Sequence, residues 1–197
     1  MSEACTRTAV GERDLGVVSR QLGRAPHAIS RVVSRCPWGW PAVVECLPAS
    51  AEGTPFPTLY YCTCPMLVAA VGELESAGGV TEWQRRLDGS PSWRRSLAAA
   101  VAEIRRRRAE LVRQYGLRPV DGGTSLASGI GGVADPSRLK CLHANVAHAL
   151  ASPVYRFGET IFGELARPWC TDCRCAAFAA TGGERACRAG PAPVVAP

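Results

Sequence analysis

Lysine is almost absent from this 197-residue sequence, with Lys140 standing alone against 22 arginines. A GC-rich coding bias toward Arg, Ala, Gly and Pro accounts for such a swap, so the net charge of +6 is weaker evidence for anion binding than the arginine count suggests. Histidine is also scarce: His27, His143 and His148 are the only imidazoles. Long apolar runs are missing. The longest, 66–72, falls far short of the roughly 18 residues a membrane span requires, and residues 1–14 hold no apolar signal core. The expectation is a cytoplasmic protein with no membrane partner. Neither a Gly-x-x-x-x-Gly-Lys-Ser/Thr loop nor a complete Gly-x-Gly-x-x-Gly after a strand occurs, so the common nucleotide-binding fingerprints are excluded.

What is present is a folded composition with 47% apolar residues, 20 glycines, 15 prolines and ten cysteines. At roughly 150 residues per domain, the chain reads as one α+β domain over 1–167, followed by a Cys-rich segment and disordered tail over 168–197. Leu15, Val17, Val18 and Leu22 predict a short amphipathic helix over 12–22 that Gly23 ends. Stretches 29–34, 42–47 and 58–63 are rich in strand formers and bounded by Pro or Gly, giving a small, mainly antiparallel sheet. Helices follow over 66–77, 80–87, 92–115, 141–151 and 158–166, and they should cover the sheet. Between them, 117–140 carries Gly122, Gly123, Gly129, Gly131 and Gly132, too long and glycine-rich for an ordinary connection, which predicts a functional loop before the last core helix.

Ten cysteines in a cytoplasmic chain point to metal ligation or reactive thiols rather than a disulfide scaffold. Cys46 and Cys62 sit inside strand-like runs and read as small buried hydrophobes; Cys5 reads as incidental. Cys36 in Cys-Pro-Trp-Gly-Trp-Pro, Cys64 in Thr-Cys-Pro and Cys141 in Lys-Cys-Leu-His all stand at element ends. A thiol ahead of a helix-opening proline meets backbone N–H groups that favour the thiolate, the form that binds metal. With His148 or His143 as fourth ligand, these three sulfurs would make a closed tetrahedral zinc site. A second candidate is Cys170, Cys173, Cys175 and Cys187, spaced Cys-x2-Cys-x-Cys and then eleven residues on. A thiol nucleophile, Cys141 or Cys64 served by His143 or His148, is a further reading, without an identifiable orienting acid or oxyanion hole. The glycine loop could offer N–H groups to phosphate, although a closely packed or flexible turn is the default. His27 reads as solvated. Arg105 to Arg108 point around most of a helix circumference and read as a solvated face, with Glu103 and Glu110 as pairing partners.

Three blocks together resemble the domain-of-unknown-function 501 family of actinobacteria and some other bacteria. They are Arg35-Cys36-Pro37 with Gly39 and Pro41; Gly53-Thr54-Pro55-Phe56-Pro57-Thr58-Leu59-Tyr60-Tyr61 running into Thr63-Cys64-Pro65; and Lys140-Cys141-Leu142-His143 with Ala147-His148. The resemblance spans roughly residues 15–150. It implies a cytoplasmic bacterial protein without an assigned activity, encoded near a septum-formation initiator and an exopolyphosphatase, hence a division or phosphate-metabolism context. Three functional readings stand: a zinc-containing binding or regulatory protein, a metal- or thiol-dependent hydrolase acting on a phosphorylated or acyl substrate, and an Arg-rich binder of nucleic acid or polyphosphate.

Overall fold

A computed structural model describes residues 10–179. Helix α1 (Glu12–Leu22) carries Glu12 and Asp14 in its first turn, where the helix dipole favours negative charge, and Gly23 ends it in the left-handed conformation. Strands β1 (Ile29–Arg35), β2 (Pro41–Cys46) and β3 (Tyr60–Cys62) then form an antiparallel sheet in sequence order. Val43 pairs with Cys62 and Glu45 with Tyr60 across β2 and β3. This is the α+β architecture the residue pattern predicts.

The central strand explains the layering. Every residue of β2 is buried, so both faces must be covered. On one face Val44 and Cys46 meet Val18 of α1, with Leu22, Ile29 and Phe56 closing the edge. On the other, Val43 joins the main core with the remaining helices. These are α2 (Pro65–Ser76), α3 (Gly79–Gly89), α4 (Pro91–Tyr115), α5 (Leu142–Ala151), α6 (Arg156–Gly163) and the one-turn α7 (Ala176–Ala179). Val17 and Val18 are wholly inaccessible, and each such burial contributes about 1.5–3 kcal/mol. None of the described helices is long and apolar enough to cross a membrane.

Two of the arginines expected on a solvated face are not solvated. Along α4 the inward stripe Leu97, Val101, Ile104, Leu111 includes Arg108, which is fully buried, and Arg107 reaches a buried carboxylate of the sheet. The expected Arg107–Glu110 pair forms at 3.2 Å, whereas Glu103 turns to α5. The correction has a simple cause: a helix packed between a sheet and a long loop has little free circumference.

Arg108 organises the glycine-rich loop. Its Nη1 donates to the carbonyl oxygens of Ser128 at 2.7 Å and Leu126 at 3.3 Å. Its Nη2 donates to Gly129 at 3.0 Å and to Pro57. Burial without an acidic partner pulls the guanidinium down to about 10, still charged at neutral pH. Around it the loop makes two 3-10 turns, Thr124–Ala127 and Ile130–Gly132. Gly131 and Gly132 have φ of 71° and 79°, and a Cβ on Gly132 would stand 2.5 Å from the Pro57 ring. The loop is therefore closely packed, and two of its amides are spent internally, Gly129 N–H on Val133 and Gly132 N–H on Gly129.

Candidate functional site

The structure distributes the expected metal ligands over three neighbourhoods. Among the described residues no group of three or more His, Cys, Asp or Glu is arranged to hold a metal ion.

The first neighbourhood is the start of α5. Cys141 is its N-cap, extended at φ −154° and ψ 156°, so the sulfur lies against the first-turn N–H groups of Ala144 and His143. Burial nevertheless pushes this thiol up, and Glu75 adds to the rise while Lys140 opposes it. Glu75 of α2 supplies the missing cap, since its Oε1 accepts from Leu142 N–H at 2.5 Å and from His143 N–H at 3.4 Å. Its other oxygen stands 3.2 Å from His143 Nδ1, and His143 Nε2 lies 3.1 Å from the Val68 carbonyl. Both ring nitrogens are committed to oxygens of α2. Neither is left to activate the Cys141 sulfur or to ligate a metal. The Cys62 thiol donates to the His143 carbonyl at 3.5 Å, and it is buried as expected. Replacing Glu75 by alanine should cost about 1–2 kcal/mol through loss of the cap. Urea denaturation checks this, and a loss no larger than that of an exposed-site variant would contradict the capping role.

These residues border an open pocket of about 340 Å³, walled by Tyr60, Tyr61 and Cys62 of the sheet, by Cys141 and His143, and by Lys140 at its rim. Gly131 closes another side, its Cα so near that an added Cβ would lie 3.8 Å from the Cys141 sulfur and 3.1 Å from Ala144. Through this contact the loop held by Arg108 shapes the pocket wall.

The second neighbourhood holds His148, wholly buried in α5 between the rings of Tyr60 and Tyr155, whose centroids are 5.2 and 5.1 Å away. Its Nε2 comes within 3.5 Å of Glu103 Oε2, too poorly aligned for a hydrogen bond, and Nδ1 has no partner. Even so, His148 is the main cause that holds the Glu103 carboxyl below its usual range, and Ser152 adds a hydrogen bond of 2.8 Å.

The third lies at the start of β2, beside Pro41 and Ala42. Cys36 opens a tight turn in which Gly39 N–H returns to its carbonyl and its own N–H bonds to Trp40. Cys64 is the N-cap of α2, with Pro65 next. The expectation that this position favours the thiolate is corrected: Cys64 is 2% exposed, and burial pushes the thiol up despite the opposing N–H groups of Leu67 and Met66. Residues 170–175 dock beside both. Trp38 Nε1–H donates to the Cys170 carbonyl at 2.8 Å, Trp40 Nε1–H to the Cys173 sulfur at 3.3 Å, and Gln21 bridges the Pro41 carbonyl and the Cys175 sulfur at 2.9 and 3.4 Å. Cys187 and Cys5 lie outside the described residues, as does 181–197. His27 is not simply solvated. It stacks on Phe56 at 4.2 Å with its Nε2 3.1 Å from the Leu47 carbonyl.

Residue-pattern reasoning missed Glu45. This β2 carboxylate has no exposed side-chain surface and is bound by three groups: Arg107 with two contacts of 2.9 Å, Arg31 at 3.1 and 3.2 Å, and the Ser30 hydroxyl at 2.5 Å. Despite burial, these donors hold its carboxyl down to about 2. A single acid inside the apolar run Ala42-Val43-Val44-Glu45-Cys46 was the available signal.

The fold and its pocket define an α+β protein built on a three-stranded antiparallel sheet, with a thiol-lined cleft at the start of a buried helix. Within that class, residues 32–165 match the family described as "protein of unknown function (DUF501)", and the chain belongs to that family. No curated protein and no solved structure matches the chain.

Proposed function

We propose that the protein binds a small anionic molecule, with phosphate esters or short polyphosphates the favoured class, in the pocket at the start of α5, in a binding or regulatory role. The observation that carries this reading is the pocket itself: about 340 Å³, within the size range of ligand sites. Lys140 supplies positive charge at its rim, and Tyr60, Cys62, Val68 and Ala144 are among the residues that line it. Binding is favoured over thiol catalysis because Cys141 has no base: both nitrogens of His143 are engaged with α2, and burial disfavours the thiolate. The Arg-rich nucleic-acid reading loses two of its central residues, Arg107 to Glu45 and Arg108 to the glycine loop.

Cys141 can report occupancy. Alkylation of the full chain by iodoacetamide, followed site by site through peptide mass spectrometry, should slow at Cys141 when pyrophosphate or tripolyphosphate is added. Lys140→Glu should abolish the protection. Unchanged Cys141 kinetics and an unchanged melting temperature with both anions would sink the proposal.

A further inference from the structure

Among the described free thiols outside the pocket, all but Cys46 lie at one edge of the sheet. Cys36 precedes the strand β2, Cys64 precedes α2, and Cys170 and Cys175 belong to the segment that Trp38, Trp40 and Gln21 tie to that same edge. Hydrogen bonds bring these segments to the start of β2. Cys64 N–H and Thr63 N–H both reach the Ala42 carbonyl, next to Pro41, whose own carbonyl takes the Gln21 amide that also reaches Cys175. Cys36 N–H reaches the Trp40 carbonyl, one residue back from Pro41. Electrostatics gives the same grouping: Cys36 is raised by burial and by Cys170, Cys64 by burial and by Cys175 and Cys36, and Cys175 by burial and by Cys36 and Cys170.

We infer that Cys36, Cys64, Cys170 and Cys175 form a structural zinc site that fastens the segment 170–179 to the sheet. Four thiolates are the donor set of closed tetrahedral zinc sites, and Cys173, which is not among the free thiols, does not enter. The surroundings are those of a thiolate site. Trp38 and Trp40 N–H groups face the Cys36 sulfur, Leu67 and Met66 N–H groups face Cys64, and the Gln21 amide faces Cys175, so donors that orient and support ligating sulfurs are already in place. Arg174, paired with Asp172, lies within electrostatic reach of Cys170 and Cys175 and offsets part of the negative charge. The sulfurs are not yet gathered around one point. Binding at about 2.3 Å per sulfur draws in the loop 170–175. The assignment takes half of each ligand set expected from spacing alone and joins the two. It is independent of the pocket, since none of the four sulfurs lines it.

Elemental analysis of the full chain, purified without chelator from zinc-supplemented medium, should give one zinc per chain. Cys36→Ser, Cys64→Ser, Cys170→Ser and Cys175→Ser should each lose most of it, and Cys46→Ser and Cys141→Ser should keep it. Metal-free wild-type protein, or full zinc retention by any of the first four variants, overturns the site. Loss of zinc in Cys141→Ser with retention in Cys175→Ser would move the ion to the start of α5 and equally overturn it. Where a serine variant does not fold, titration of the folded wild type with an organomercurial in the presence of a chromophoric chelator decides. Zinc should be released in step with thiol modification, and thiol modification without zinc release rejects the proposal.

Discussion

Arg108→Met is expected to destabilise the protein by about 3 kcal/mol or more, although the substitution keeps an unbranched apolar stem of similar length. Four carbonyl oxygens, those of Pro57, Leu126, Ser128 and Gly129, lose their shared donor at once in a place that water does not reach. Because three of these oxygens belong to the loop that lines the α5 pocket, the loss should also loosen the pocket. Amide exchange over 126–132 should accelerate more than exchange in the sheet. Arg106→Gln, two positions away and exposed, should change stability by no more than about 0.5 kcal/mol. Urea denaturation of the two variants side by side is the test, and equal midpoints would show that the loop does not depend on the guanidinium.

The second large effect belongs to Glu45 and should appear as a pH dependence. Its carboxyl titrates at about 2 in the folded protein against 4.5 for the ordinary group, so the unfolded chain binds the proton more readily. The stabilisation is therefore complete above pH 4.5, declines as the pH falls, and is gone below about 2. A shift of this size corresponds to about 3 kcal/mol. Glu45→Gln should lose that amount at neutral pH, and its urea midpoint should approach the wild-type value as the pH drops toward 2. Curves that stay parallel down to acid would mean that the cost of Glu45→Gln is steric and not ionic. Arg31 is half exposed, so it can return to solvent when its partner is removed, whereas Arg107, 27% exposed, remains largely confined between α4 and the sheet.

The elements were legible where a single period dominated. Helix α1 has the same bounds in the apolar pattern as in the structure, and α2, α3, α4 and α5 differ by one or two residues at their ends. The three strands were found because Pro and Gly bracket them, although β3 is shorter than its apolar run because only Tyr60–Cys62 pairs with β2. The candidate site was legible as a list of residues and not as groups. Element ends identified Cys36, Cys64 and Cys141 correctly as caps and turns, but spacing along the chain carries no information on which end of the sheet each cap faces. The arginine run hid its most consequential member for the opposite reason. Arg108 continues the 97, 101, 104, 111 stripe at helical spacing, yet three neighbouring arginines made charge look like the common property of a surface.

The docking of residues 170–179 against α1 gives the molecule an order of assembly. Gln21 bonds to Cys175, Arg20 to the Phe178 carbonyl, and α1 packs along α7, so this helix takes partners 154 and 158 residues downstream of it. The hairpin of β1 and β2 can close once β2 has emerged, but the Cys36 edge stays uncovered until residues 170–175 follow. A nascent chain halted before residue 170 should thus present Trp38 and Trp40 to solvent and to chaperones, and a premature stop there would be recognised by the surface it leaves bare rather than by any lost catalytic group.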